Sequence, residues 1–182
     1  NRALSIFVTI PSREPHTFCT NYQKWNSEAR DFLFQTIKCV ESPRDRANFW
    51  VPKIDDEIEI GILRKFHNIK NTIENSIGDT DWRIYYRTTG GLYWKVFTDF
   101  PPVFKLNGKS AHSTRETWFT LSKRGHLKPI IAILSSDLFW WWYTISTTCR
   151  DLNPIDIRSF PIPESALDDS HLSKLGETYL TD

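Results

Sequence analysis

The chain of 182 residues is 40% hydrophobic and 14% aromatic, which is enough apolar material for a folded globular domain with a core. A formal net charge of +1 excludes any argument for polyanion binding from bulk charge, so such a function has to rest on how charge is segregated. Cys19, Cys39 and Cys149 are odd in number and lack a Cys-x-x-Cys pair. That excludes a secreted disulfide framework and a zinc ribbon, and a reducing cytoplasm is the expected compartment.

The chain starts Asn1-Arg2-Ala3-Leu4, with neither an initiator methionine nor the charged and apolar regions of a signal peptide. No run reaches the ~18 apolar residues of a membrane span. The expectation is one domain over 1–182, or one with a small appendage, cut from a longer polypeptide.

The first predicted element is a helix over residues 28–37, capped by Asn26 or Ser27, with Ala29, Phe32, Leu33 and Ile37 at helical spacing. After Pro43 and Pro52, the acids Asp55-Asp56-Glu57 open a second helix, favourably placed at its positive end. Ile58, Ile62, Leu63 and Phe66 are expected to form its apolar face.

From Trp82 the period changes to two. Trp82, Ile84 and Tyr86 alternate with Arg83, Tyr85 and Arg87, and then Leu92, Trp94 and Val96 alternate with Tyr93, Lys95 and Phe97. Gly90-Gly91 tolerates the backbone angles of a tight connection, so the two runs read as a central β-hairpin. A further strand is expected over 116–121.

Residues 127–146 are apolar almost all round and end in Trp140-Trp141-Trp142-Tyr143, which reads as one buried helix. At about 1.5–3 kcal/mol for each large side chain fully buried, it should be the main stabilising element, with the tryptophans as core. Phe160-Pro161-Ile162-Pro163 should be an extended edge strand or strap, because proline cannot donate to a central ladder. The fold class is therefore α+β, a small antiparallel sheet with its hairpin packed against several helices.

Catalytic signatures are missing: no phosphate loop, no Gly-x-Gly-x-x-Gly, no Gly-x-Ser-x-Gly and no His-Glu-x-x-His. His16, His67, His112, His126 and His171 are too scattered for a metal pair, and Asp55-Asp56-Glu57 reads as a helix cap rather than a magnesium site. No catalytic residue and no metal ligand is assigned. The strongest signal is electrostatic. Residues 83–128 hold nine bases against Asp99 and Glu116 alone, while 41–82 and 151–182 are acidic. Interleaved with tyrosine and tryptophan, these bases suit DNA: lysine and arginine neutralise phosphates, arginine grips guanine edges, and aromatic rings wedge or stack. Arg87, Lys95, Lys105, Lys109, Arg115 and Arg124 are the candidate DNA contacts.

Several separated motifs carry a family likeness: residues 22–30 (Tyr-Gln-Lys-Trp-Asn-Ser-Glu-Ala-Arg), 54–58, the glycine hairpin 86–97, Ser113-Thr114-Arg115-Glu116-Thr117, residues 134–139 and 149–153. In these the chain resembles the C-terminal target recognition domain of adenine-specific DNA methyltransferases in type II and type IIG restriction–modification systems. The resemblance implies a module that clamps duplex DNA opposite a catalytic domain and helps present a flipped adenine. It also implies an N-terminal methyltransferase domain of the same polypeptide as partner, with S-adenosylmethionine held there, and a prokaryotic cytoplasm.

The chain itself has neither the cofactor's glycine motif nor the Asn-Pro-Pro-aromatic loop; Asn153-Pro154 is followed by Ile155-Asp156. No cofactor is therefore expected in this fragment, and it should not methylate. Two rival functions are a self-contained nuclease or methyltransferase, which turnover assays would reveal, and a protein-interaction scaffold, which salt would hardly affect.

Overall fold

The computed structural model describes residues 6, 8–13, 16–23, 25–42, 50–89 and 96–181, without the side chain of Phe104. Helices and short antiparallel strands make an α+β fold in two units, residues 1–65 with 144–148 and residues 66–143 with 149–182.

In the first unit, β1 (Phe18–Cys19) pairs antiparallel with β2 (Val40–Glu41), and Ser42 N donates to Thr17 O at 2.8 Å. The helix expected over 28–37 shrinks to a 3-10 turn, Arg30–Phe32, running into α1 (Leu33–Thr36). Neither Asn26 nor Ser27 caps it: the N-cap position is Ala29, and Asn26 Oδ1 instead accepts from Ala29 N at 2.9 Å in the bend that precedes the turn. The expected apolar face is not buried: Ala29 and Phe32 are exposed and Leu33 and Ile37 only half-buried, and a helix this short without a covered face gains little from propensity alone.

Helix α2 (Glu57–His67) begins where the acids predicted. Asp56 Oδ1 accepts from Ile58 N at 2.7 Å and Glu59 Oε2 from Asp55 N at 3.0 Å, so these carboxylates satisfy helix-end donors. Its buried positions are Ile60, Leu63 and Phe66, whereas Ile58 is 74% exposed. At 100° per residue Ile58 stands ~140° from Leu63, too far round for one stripe. Lys53 N donates to Ile145 O at 3.0 Å, and Ile54, Ile60, Leu63 and Ile145 are buried.

The second unit is built on three strands in the order β4-β3-β7: β3 (Arg83–Arg87), β4 (Phe97–Thr98) and β7 (Glu116–Thr120). Tyr85 pairs with Thr98 and Tyr86 with Phe97, the antiparallel relation expected of the hairpin's flanks; the Gly90-Gly91 connection and Lys95 lie outside the described residues. Between β4 and β7 a second hairpin forms from β5 (Phe104–Leu106) and β6 (Lys109–Ala111).

The long apolar helix expected over 127–146 is instead α3 (Leu127–Leu134) and α4 (Asp137–Ser146). Ser136 makes the break: its hydroxyl donates to Ile133 O at 2.5 Å and accepts from Phe139 N at 3.3 Å, ending one helix and capping the next. Beyond it lie α5 (Pro154–Arg158), α6 (Glu164–Leu167) and α7 (Ser170–Thr181). Helices α3 and α7 pack closely at Gly176.

The inner face of the sheet, Ile84, Tyr86, Phe97 and Phe119, is buried. Its rings continue into an aromatic core: Tyr86 meets Phe97, Phe97 meets Phe139, Phe139 meets Phe160, and Phe160 meets Phe66 and Trp142, each with centroids 5.4–6.1 Å apart. Trp142 and Tyr143 are the buried members of the tryptophan block, and Trp141 lies half-buried against Phe66. The Phe160–Pro163 strap is extended as expected. Ile73 N donates to Phe160 O and Ile162 N to Asn71 O, so the bonds flank the Thr72–Pro161 pair and require no donor from the proline.

Candidate nucleic-acid interface

Strand alternation that turns Ile84 and Tyr86 inward turns Arg83, Tyr85 and Arg87 outward. Across the ladder Arg83 faces Thr120, Tyr85 faces Trp118 and Arg87 faces Glu116, so these six residues share the outer face. Trp118 is 53% exposed. The Arg83 guanidinium lies 5.4 Å from its ring centroid and the Tyr85 ring 6.1 Å away, an exposed platform with a cation above it. Asp81 is 3.9 Å from Arg83 but its side chain is fully exposed, so this pair is weak.

A second cation–aromatic pair stands at the strand's entrance, where Arg124 lies 5.2 Å from the Trp82 ring centroid. Backbone bonding fixes this meeting. Leu121 N donates to Trp82 O at 2.8 Å, Thr80 Oγ1 donates to Leu121 O at 2.6 Å, and Trp82 N donates to Thr80 Oγ1 at 3.0 Å. Trp82 is thereby anchored beside the turn that carries Arg124.

At the opposite end of the ladder, Thr88 donates both its N and its Oγ1 to Arg115 O, at 2.9 and 3.1 Å, and Leu152 N donates to Thr88 O at 2.7 Å. Arg87 and Arg115, both exposed, are thus brought to one end of the sheet. Arg124 belongs to the other end, about 14 Å away along a five-residue strand. Lys105 and Lys109 sit on the separate β5–β6 hairpin, so the candidates among the described residues occupy two ends of one sheet and a ribbon rather than one cluster.

Lys128 takes a different role from its basic neighbours. It pairs with Asp99 at 2.9 Å, both partly buried, and ties α3 to the turn after β4. His126, just before it, is buried, and its Nδ1 has no hydrogen-bond partner among the described residues. Burial first and Lys123 second push its pKa below the ordinary histidine value, against the pull of Asp168.

Asn153-Pro154 is spent on structure: Pro154 opens α5, and Asn153 N donates to Asp156 Oδ2 at 2.7 Å. A depression lined by Thr72, Glu74, Pro154, Ile155, Arg158 and Ser159 lies nearby, with Arg158 Nε 3.6 Å from Glu74 Oε2 across it. Among the described residues no cluster of three or more His, Cys, Asp or Glu is placed to hold a metal, and no helix is long and apolar enough to cross a membrane.

Two parts of this surface escaped the sequence reading. Trp118 was legible as an outward residue, because it alternates with Glu116 and Thr120. The β5–β6 hairpin was legible in Asn107-Gly108, a dipeptide suited to a two-residue turn. Compared with protein-family models, curated proteins and solved structures, the chain finds no match.

Proposed function

We propose that this chain reads duplex DNA as the target recognition domain of an adenine-specific DNA methyltransferase in a restriction–modification system, and is not catalytic by itself. The observation that carries the reading is a pair of cation–aromatic contacts: Arg83 overlies the exposed Trp118 on the outer face of β3 and β7, and Arg124, on the turn after β7, overlies Trp82 just before β3. Guanidinium groups held on aromatic platforms keep their hydrogen-bonding edges free for phosphate oxygens or guanine while the rings restrict their wandering. Arg87 and Arg115 add two charges at the far end of the same ladder, about four base steps away at 3.4 Å each.

Chemistry is assigned to a partner. In this reading the N-terminal methyltransferase domain of the same polypeptide binds S-adenosylmethionine and the flipped adenine, while this chain supplies grip and site choice. Its own Asn153-Pro154 is a helix cap, which supports the absence of a methyl-transfer loop here. The test pairs two assays on the full chain. Duplex DNA labelled with a fluorophore should be bound at low salt, and the same protein given duplex and radiolabelled S-adenosylmethionine should transfer no methyl group. Absence of binding, or sustained methylation by the chain alone, overturns the assignment.

A further inference from the structure

The β5–β6 hairpin has solvent on both sides of its tip. Residues 105–110 are all exposed, and Leu106 is 61% so. Its register is Phe104 with Ala111, Lys105 with Ser110 and Leu106 with Lys109. Directly paired residues share a face and successive residues alternate, so Lys105 and Ser110 occupy one face and Leu106 and Lys109 the other.

Asn107 has φ 51° and Gly108 φ 78°. Two consecutive left-handed residues make the tight turn whose twist matches the flanking strands, so the ribbon ends in a blunt two-residue tip. No acid occurs from Phe100 through Arg115, and Asp99 just before it is paired with Lys128 at 2.9 Å. The whole projection is positively charged.

We propose that this ribbon is the element that enters the DNA major groove, with Asn107 reading an adenine edge at its tip and Lys105 and Lys109 contacting the two phosphate walls. The inference rests on the DNA-binding reading above and adds where and how sequence is read. A major groove about 12 Å wide admits a two-stranded ribbon, and lysines on opposite faces meet opposite walls, an arrangement that two lysines on one face would not give. The carboxamide of asparagine offers the donor and acceptor that match adenine N7 and N6 together. Gly108, without a side chain, lets the tip backbone approach the base edges.

The turn alone would also favour asparagine, so the test has to separate conformation from recognition. Asn107→Gly keeps access to positive φ and removes only the carboxamide. The full chain and its variants are used to select sites from a pool of randomised duplexes, and binding to the selected duplex is then titrated with salt. For Asn107→Gly, preference for adenine at one position should fall between about five- and hundred-fold with an unchanged salt slope. Lys105→Ala and Lys109→Ala should each lower the slope by about one and leave the selected sequence unchanged. If the unaltered chain enriches a sequence and Asn107→Gly enriches the same one equally well, the tip does not read the base, although the DNA reading stands. If the unaltered chain retains no duplex at low salt, the DNA reading fails and the groove assignment falls with it.

Discussion

Arg83 and Trp118 meet diagonally across the β3–β7 ladder: each is paired directly with another residue, Arg83 with Thr120 and Trp118 with Tyr85, yet the guanidinium lies 5.4 Å from the indole centroid. The side chain therefore leans along the sheet to reach the ring. An exposed contact of this kind is worth about 0.5–1 kcal/mol, enough to bias where the charge sits and too little to matter for folding. Trp118→Ala should therefore weaken duplex binding by roughly that amount while changing stability by less than about 1 kcal/mol. Trp118→Phe should retain most of the affinity. Anisotropy titrations beside thermal melts measure both, and a large loss of stability with intact binding would make Trp118 a packing residue.

Bases in the same stretch should divide by environment. Arg87→Ala and Arg115→Ala should each lower the salt slope of duplex binding by about one and leave melting nearly unchanged, because exposed charges contribute little to folding. Lys128→Ala should leave the slope alone and weaken the fold, since its partner Asp99 is left partly buried. The reverse pattern would place the interface elsewhere.

Much of this division was hidden in the sequence. Alternation located β3, β7 and the antiparallel pairing of β3 with β4, because a half-buried strand records its environment residue by residue. Periodicity failed where everything is apolar. Over 127–146 no polar face marks a phase, so only Ser135-Ser136-Asp137, a cap followed by an acid, signalled the break between α3 and α4. The choice of Ile58 over Ile60 failed for a related reason: with isoleucines at 58, 60 and 62, composition permits two stripes and tertiary packing selects one. As for the site, residue type revealed the basic candidates, but which cation sits on which ring depends on ladder register.

Gly176 and Gly61 give opposite predictions for the same substitution. A Cβ on Gly176 would stand 2.1 Å from the Lys128 carbonyl oxygen, whereas one on Gly61 would meet nothing within 4 Å. Gly176→Ala forces α7 away from α3 and should destabilise by about 1–3 kcal/mol or more. Gly61→Ala, in α2, should stabilise by roughly 0.5–1 kcal/mol through helix propensity. Urea denaturation of the pair tests the packing directly, and equal effects would contradict it.

His126 should make the fold acid-sensitive. Burial and Lys123 hold its folded pKa below the ordinary 6.5, so the unfolded chain takes up the proton first. Its contribution is complete above pH 6.5 and is lost as pH falls from there to the folded pKa, with a slope of at most about 1.4 kcal/mol per pH unit. Melting temperatures between pH 7.5 and 5.5 should fall more for the unaltered chain than for His126→Gln. Identical pH profiles would show that this ring does not titrate between the two states.

Binding of a polyanion by the cationic–aromatic face is measured by titrating the full chain with duplex DNA at salt concentrations from about 50 to 200 mM. Engagement of at least four phosphates predicts a log–log slope of roughly −3.6 or steeper, at about −0.9 for each phosphate neutralised. A slope near zero, or no binding at the lowest salt, would contradict it.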